Sequence, residues 1–243
     1  MASTGSGSRS HGKLALVIGN NSYSKHSLTK SVNDATDLSD TLRKIGFDVE
    51  LGIDCNHQKM TQLIEGFASR IKNQDLVLFY FSGHGVQWQE QNYLLPVDAD
   101  EKIRKEADIR ESAINAQRIL EKFAAQTLYV TVFILDCCRE YGVENLSTFG
   151  NFKGASGLRP MKAPGGSLIQ FACDAGAVAT DGYGTTDRNG LYIKHLLQHI
   201  ATPKKDIDKI FAAAATSVYQ ESNRKQQPFR VSSIMIDEPI YLN

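Results

Sequence analysis

The sequence has no excess of charge and no long apolar run, and each absence excludes a class of protein. Lysine plus arginine and aspartate plus glutamate number 27 each, so no overall field would attract nucleic acid or an anionic membrane. No apolar run approaches the ~20 residues that span a bilayer, and residues 1–12 lack the apolar segment of a signal peptide. We therefore expect a cytoplasmic protein without nucleic-acid or membrane partners.

Cysteines are few, and their spacing does not indicate a metal site. Cys55, Cys137, Cys138 and Cys173 show neither a Cys-x-x-Cys pair nor a nearby histidine pair, so we expect no metal and reduced thiols. A dinucleotide-binding fingerprint is also missing, because the first apolar run continues as IGNNSY and not as a G-x-G-x-x-G loop.

What the sequence does contain is the composition of one soluble domain, with 42% hydrophobic and 22% charged residues. Residues 1–12 are rich in serine and glycine, which predicts a flexible segment or a remnant of cloning before a domain at 13–243. Residues 141–166 carry Gly, Ser, Asn and Pro without a period, which predicts a long loop within that domain.

Strand-like and helix-like segments alternate along the chain. Continuous apolar runs predict buried strands, and apolar residues at helical spacing predict the helices between them. The predicted strands are 14–19, 47–53, 75–82, 131–135, 167–173 and 230–236, with a hairpin near 88–97 and helices at 31–45, 60–71, 114–123, 191–200 and 205–221. This order predicts an α/β fold with a mostly parallel central sheet and helices on both faces.

Reactive residues lie where these predicted strands end, the position at which open α/β sheets bind ligands. Asp34 follows the first strand, His84 lies in the SGHG that ends the third, and residues 136–138 read DCC at the end of the fourth. A cysteine becomes a useful nucleophile when an imidazole favours its thiolate. The pattern therefore predicts a cysteine and histidine pair at this edge of the sheet.

The two adjacent cysteines are distinguished by strand alternation. In an extended segment Asp136 and Cys138 share one face, whereas Cys137 lies on the other. This favours Cys138 as the nucleophile, with Asp136 beside it in the pocket and Cys137 as a small buried apolar residue.

The chain from Lys13 onward resembles the caspase-like cysteine peptidases, the fold shared by caspases, metacaspases and paracaspases. The separation of 54 residues between His84 and Cys138 is close to the ~50 of the caspase pattern. The resemblance implies a three-layer sandwich with a large-subunit-like part at 13–140 and a small-subunit-like part at 167–243. The motifs that carry it are KLALVIGN, VNDATDL, FYFSGHG, YLLPVDA, FILDCCR, LIQFACDAG and RNGLYIKHLLQHI.

The resemblance also bears on the substrate. Caspases hold an aspartate side chain with a glutamine that precedes the nucleophile, but here Asp136 stands at that position and Asp34 lies within VNDATDL. Two carboxylates would repel an acidic side chain and hold a guanidinium by charge-assisted hydrogen bonds. The implied reaction is cleavage of protein or peptide substrates after Arg, and then Lys.

Within the family, the sequence Cys138-Arg139 resembles the corresponding sequence of paracaspases, whereas metacaspases more often have His-Ser-Gly after the cysteine. No acidic cluster clearly matches the calcium site of metacaspases, so we expect no cofactor, with calcium dependence as the alternative; the scattered acids are Asp98, Asp100 and Asp108. Paracaspases carry a further acid near the GAVAT segment, but this sequence has Val178 there. Asp174 or Asp181 could substitute, so the residue that forms the third pocket wall is not assigned.

In the implied mechanism Cys138 attacks the peptide carbonyl, and His84 promotes the thiolate and protonates the leaving amine. The backbone amides of Gly85 and Cys138 would hold the oxyanion of the intermediate. No residue type in the sequence points to a third group that orients His84, and a backbone carbonyl would serve. The alternatives are a catalytically silent interaction module and a calcium-dependent peptidase of the metacaspase type.

Two further expectations concern processing and assembly. The 141–166 loop contains Lys153 and Lys162, after which autocleavage is predicted, whereas Pro160 protects the bond after Arg159. The last strand, 230–236, pairs across a two-fold axis in caspases and paracaspases. A homodimer through this edge strand is one expectation, and a monomer, as in many metacaspase-like relatives, is the other.

Overall fold

A computed structural model describes residues 11–125, 129–138, 158–173 and 186–243, and for Cys138 it describes the backbone only. The strands in this part of the chain are β1 Lys13–Gly19, β2 Asp48–Ile53, β3 Leu76–Trp88, β4 Gln91–Leu94, β5 Ile114–Asn115, β6 Val130–Cys138, β7 Ser167–Phe171 and β8 Phe229–Ser232. The helices are α1 Ser31–Lys44, α2 His57–Arg70, α3 Ala99–Lys102, α4 Glu106–Ser112, α5 Ala116–Ala124, α6 Leu191–His199 and α7 Ile207–Glu221.

The central sheet runs in the order β2-β1-β3-β6-β7-β8. Strands β2, β1, β3, β6 and β7 pair in parallel, and only β8 is antiparallel to its neighbour. The small strands β4 and β5 extend the C-terminal part of β3 as an antiparallel arm. The predicted α/β sandwich with a mostly parallel sheet is therefore confirmed.

Alternation along the buried strands divides the core between the two faces of the sheet. Val17, Tyr80 and Ile134 pack with the apolar faces of α1, α6 and α7, whereas their neighbours Phe79 and Phe133 pack with those of α2 and α5. Because both faces are covered by helices, the central strands carry continuous apolar runs. The sheet thus lies as the middle of three layers.

The third strand differs from its prediction. Instead of ending at Ser82, β3 continues through His84 to Trp88, and its last residues form a hairpin with β4. Gln89 and Glu90 form the turn of this hairpin, and both have positive φ (47° and 62°). A two-residue turn needs this conformation so that its twist matches that of the two strands. His84 therefore lies inside a strand, where β3 passes from the parallel sheet into the arm.

Several short elements were not predicted. Helices α3 and α4 and strand β5 are short and lack a long apolar period, so periodicity could not detect them. Strand β8 ends at Ser232, whereas the prediction extended it to residue 236. Beyond it the Ser233 N–H donates to the Ser167 carbonyl, and the chain then leaves the sheet.

The predicted loop 141–166 is described only from Leu158 onward, and there it forms neither helix nor strand. It is held against the β3–β4 arm, because the side chain of Asn92 accepts from Arg159 N–H (2.9 Å) and donates to the Arg159 carbonyl (2.7 Å). The proposed division of the domain at this loop stays a prediction, and the flexible 1–12 segment lies mostly outside the described residues.

Candidate active site

The two motifs with reactive residues meet on neighbouring strands. In the parallel pair β3 and β6, His84 stands opposite Cys138, Gly83 opposite Cys137 and Ser82 opposite Asp136. Strand β6 remains extended through residue 138, which is the condition that the alternation argument required. The position of the Cys138 thiol lies outside the described side chains, so its role stays a prediction.

Cys137 is buried among apolar side chains. Its side chain is 6% exposed. It packs with Phe133 and Leu135 in the core cluster on the α2 and α5 side of the sheet. Burial, together with the nearby Asp136 charge, raises the pKa of the Cys137 thiol well above its usual range. A neutral thiol enclosed in this way is a packing residue and not a nucleophile.

His84 is almost fully buried and is held by two groups of the segment that follows β1. Its Nε2 lies 2.6 Å from the backbone carbonyl oxygen of His26, and its backbone N–H donates to the Tyr23 hydroxyl at 3.0 Å. The Tyr23 hydroxyl in turn donates to the Leu95 carbonyl at 2.9 Å. Since a carbonyl can only accept, Nε2 must carry a proton, and in the neutral imidazole Nδ1 is then the basic nitrogen.

The segment that carries Tyr23 and His26 is fixed by two aspartates, Asp54 and Asp100, of which the sequence analysis named only Asp100, as a scattered acid considered for calcium. Asp54 accepts the backbone N–H groups of Asn21 (2.7 Å) and Ser22 (2.9 Å), and Asp100 accepts that of Lys25 (2.8 Å). Residues 21–26 are referred to below as the His26 loop. Only a local clue existed for these contacts, because short polar side chains in turns commonly bind backbone amides.

The glycines on either side of His84 allow close packing. A Cβ at Gly83 would lie 2.6 Å from the Tyr23 hydroxyl, and one at Gly85 would lie 3.0 Å from Cys137 Cβ. Larger residues at these positions would push away the groups that locate His84 and the neighbouring strand. The predicted role of the Gly85 amide, together with that of Cys138, as an oxyanion hole is not tested by this packing.

Asp34 and Asp136 are both buried, at 3% and 6% exposure, although they come from α1 and β6. The hydroxyl of Tyr80 donates to Asp136 Oδ2 (3.1 Å), and Asp34 Oδ1 accepts the backbone N–H of Gly190 (2.9 Å). The pKa of Tyr80 is raised well above its usual range by burial and then by the charges of Asp136 and Asp34. Asp136 thus contacts the Tyr80 hydroxyl directly, whereas Asp34 is bound to the backbone before α6 and influences Tyr80 through its charge.

Tyr192 of α6 lies at the same place and was missed by the sequence analysis. Its hydroxyl is buried without a hydrogen-bond partner among the described residues, and burial and the Asp136 charge raise its pKa well above the usual range. A buried hydroxyl without a partner is uncommon in folded proteins. Tyr192 occupies an apolar position of the helical period of α6, so the sequence gave no reason to distinguish it from an ordinary core residue.

The acids considered for calcium are used for backbone contacts. Asp98 accepts the His57 N–H and pairs with Lys102, Asp100 accepts from the His26 loop, and Asp108 accepts the Arg104 and Lys105 N–H groups. Within the described ranges, no group of three or more histidine, cysteine or acidic side chains is arranged to hold a metal ion. The third pocket wall near Val178, with Asp174 and Asp181, lies outside those ranges.

Of the two predicted autocleavage residues, Lys153 lies outside the described part of the chain. Lys162 is exposed, and its carbonyl accepts a hydrogen bond from the Gln117 side chain at 3.0 Å. Arg159 pairs with Glu90 at the hairpin turn. The segment around Lys162 is thus fastened at several points, and cleavage there would require it to detach.

Fold and sequence together place the chain in the family described as the Caspase domain, whose model matches residues 12–238. The chain belongs to this family of caspase-like cysteine peptidases, and the resemblance seen in the sequence is confirmed. It is similar to mucosa-associated lymphoid tissue lymphoma translocation protein 1 of Homo sapiens and to its Mus musculus homolog, with 26% identity over 194 residues in both cases. That alignment covers 79% of this chain but 22% of each relative, so the chain spans about a fifth of their length.

Across the part of the chain that the structure describes, none of the helices combines the length and the apolar character needed to cross a membrane.

Proposed function

We propose that this chain is a cysteine endopeptidase that cleaves protein or peptide substrates after Arg, and less well after Lys. The observation that carries the proposal is the register of β3 and β6, which sets His84 opposite Cys138, two residues beyond the buried Asp136. A base, a cysteine and an acidic pocket are the groups that such a cleavage needs.

In the proposed reaction, Cys138 attacks the carbonyl carbon of the peptide bond, and the amine leaves with a proton from His84. A thioester with Cys138 forms, and water hydrolyses it to return the free thiol. The His26 carbonyl orients the imidazole through Nε2, so that Nδ1 exchanges the proton with sulfur and then with the leaving amine. The amides of Gly85 and Cys138 are proposed to hold the oxyanion, an interaction worth about 3–4 kcal/mol in comparable sites.

The preference for Arg follows from charge and geometry. Two buried carboxylates favour a cation, and a guanidinium offers several N–H donors in a plane, whereas an ammonium is a compact and more strongly hydrated charge. Desolvating Lys would therefore cost more for fewer fixed hydrogen bonds. An aspartate side chain would bring a third negative charge into the pocket and is rejected.

Hydrolysis of matched fluorogenic peptides ending in Arg, Lys, citrulline or Asp tests the proposal, in the presence of calcium and of a chelator. Citrulline keeps the shape of Arg without its charge, so its hydrolysis should fall to background. Cys138→Ala should abolish cleavage and Cys137→Ala should retain it, while Asp136→Asn should lower kcat/KM for Arg. Cleavage of the Asp peptide, or an active Cys138→Ala variant, would refute the assignment.

We also propose that two copies associate through β8, as caspases and paracaspases do, and that the protein acts in the cytoplasm. Strand β8 is last in the sheet and pairs only with β7 among the described residues, and Met235 just beyond it is 90% exposed. Analytical ultracentrifugation of wild type and Met235→Glu checks the association. A monomer at micromolar concentration in both samples would contradict it.

A further inference from the structure

The structure contains a cavity of ≈ 400 Å³ that is separate from the proposed active site. It opens between α2, the β3–β4 arm, the end of α4, β5 and α5, and none of Cys138, His84, Asp34 and Asp136 lines it. Its size is within the range of sites that hold small molecules or single side chains of a peptide.

The cavity has an apolar floor with an aromatic side. Ile64 and Ile119, which belong to the core between α2 and α5, and Tyr93 of β4 contribute apolar surface, and the indole of Trp88 stands at the edge. The rings of Trp88 and Tyr93 are 6.0 Å apart at 57°. A flat apolar group could therefore be covered on two sides.

The charged groups of the lining are unequally satisfied. Lys122 binds both carboxylate oxygens of Glu65, at 2.7 and 2.6 Å, so this pair is neutral within itself. Arg110 and Arg118 also line the cavity, and neither guanidinium makes a hydrogen bond or ion pair within the residues that the structure describes. The net charge left to a ligand is positive and comes from groups with fork-shaped donors suited to a carboxylate.

The polar part of the wall is already ordered. The Gln91 side-chain oxygen accepts from both the Tyr93 hydroxyl (3.4 Å) and the Asn115 side-chain amide, and the Asn115 oxygen caps α5 by accepting from Arg118 N–H (3.0 Å). The indole N–H of Trp88 donates to Glu106 at 3.4 Å. Because these groups satisfy one another, a ligand would find the walls in place and two solvent-exposed guanidinia with no partner among the described residues.

We propose that this cavity is a second ligand site, which binds a carboxylate carried on an apolar or aromatic body. The carboxylate is held by Arg118 and Arg110, and the apolar body lies against Trp88, Tyr93 and the isoleucines. Such a group can belong to a free organic acid or to an acidic residue that follows an aromatic one in a peptide. The site does not depend on the peptidase activity proposed above.

Trp88 is the single tryptophan of the chain, so fluorescence excited at 295 nm reports on this cavity directly. Titration of the whole chain with 3-phenylpropionate should give a saturable change, whereas the uncharged 3-phenylpropionamide should not. Ac-Phe-Glu-NH2, with Ac-Phe-Gln-NH2 as its uncharged match, tests the peptide source in the same way. The charged probe with the lower Kd identifies the source.

Variants separate this site from a general effect of charge. Arg118→Gln and Arg110→Gln should each weaken binding by about tenfold, as expected for loss of a charge-assisted contact. Glu65→Gln frees Lys122 and should tighten it, and Arg104→Gln, an exposed arginine outside the lining, should leave it unchanged. Equal responses to acid and amide, no response to either acid, or unaltered binding in both arginine variants would overturn the proposal.

Discussion

At the scale of single residues, the most consequential side chain outside the predicted site is Tyr23. Its hydroxyl accepts the His84 N–H and donates to the Leu95 carbonyl, and its ring centroid lies 4.4 Å from that of His84. In the proposed reaction Tyr23 would thus be a positioning residue, which acts only through the histidine.

Tyr23→Phe keeps the ring and removes the hydroxyl, which leaves a buried amide without its acceptor. We expect the free energy of unfolding to fall by about 1–3 kcal/mol and kcat for an Arg peptide to fall roughly tenfold, a fraction of what acid–base catalysis supplies. KM should change little, because the proposed acidic pocket is untouched. Tyr219→Phe, at an exposed tyrosine, is the control. An unchanged kcat with reduced stability would assign Tyr23 a purely structural role.

At this scale the sequence predicts those roles that depend on the type of side chain and its place in a strand, but not the roles of backbone groups. Alternation correctly predicted that Cys137 would be buried away from Asp136, because an extended strand imposes that pattern on any side chain. The His26 carbonyl could not be predicted, since every residue has a carbonyl and only the fold selects one. Tyr192 was missed because its hydroxyl matters only through the nearness of Asp136, which belongs to another element.

At the scale of elements, the arm that continues β3 beyond His84 fastens the segment after residue 157. The sequence analysis placed the end of this strand at SGHG, but Gly83 and Gly85 accommodate Tyr23 and Cys137 within a continuous strand. A composition rule for glycine cannot distinguish a turn from close packing, because both require the absence of a side chain. The long loop was predicted from composition, but its attachment to the arm through Asn92 was not.

Asn92→Ala should expose the Lys162 bond to proteases. The side chain of Asn92 is buried and makes two hydrogen bonds with the backbone of Arg159, so its loss frees the segment around Lys162. We expect limited trypsin to cut after Lys162 several-fold faster than in wild type, since proteolysis follows local opening. Mass spectrometry of timed samples identifies the site, and Asn73→Ala serves as the exposed control. Equal rates in both variants would show that Asn92 does not restrain the segment.

At the scale of the whole molecule, buried thiols and phenols link stability to alkaline pH. Burial raises the pKa values of Cys137, Tyr80 and Tyr192 well above their usual ranges, and that of Cys55 to about 11. Unfolded cysteine and tyrosine ionise near pH 8.5 and 10, to within about half a unit. Above those values the unfolded chain has lost protons that the folded chain retains, so stability must fall as pH rises.

Urea unfolding from pH 7 to pH 10 should therefore give a free energy that is nearly constant up to about pH 8 and then declines. Each group that is ionised only in the unfolded chain contributes a slope of up to about 1.4 kcal/mol per pH unit. Cys137→Ala removes one of the two thiols, Cys137 and Cys55, that ionise near roughly pH 8.5 in the unfolded chain but stay neutral in the folded chain. The decline between pH 8 and pH 10 should therefore become shallower, despite a lower stability at pH 7 from the lost sulfur. Tyr192→Phe should cost little at pH 7, because its hydroxyl has no partner among the described residues. A decline of the same steepness in Cys137→Ala would mean that the Cys137 thiol is not the group that links folding to pH, and that Cys55 or the tyrosines carry the effect instead.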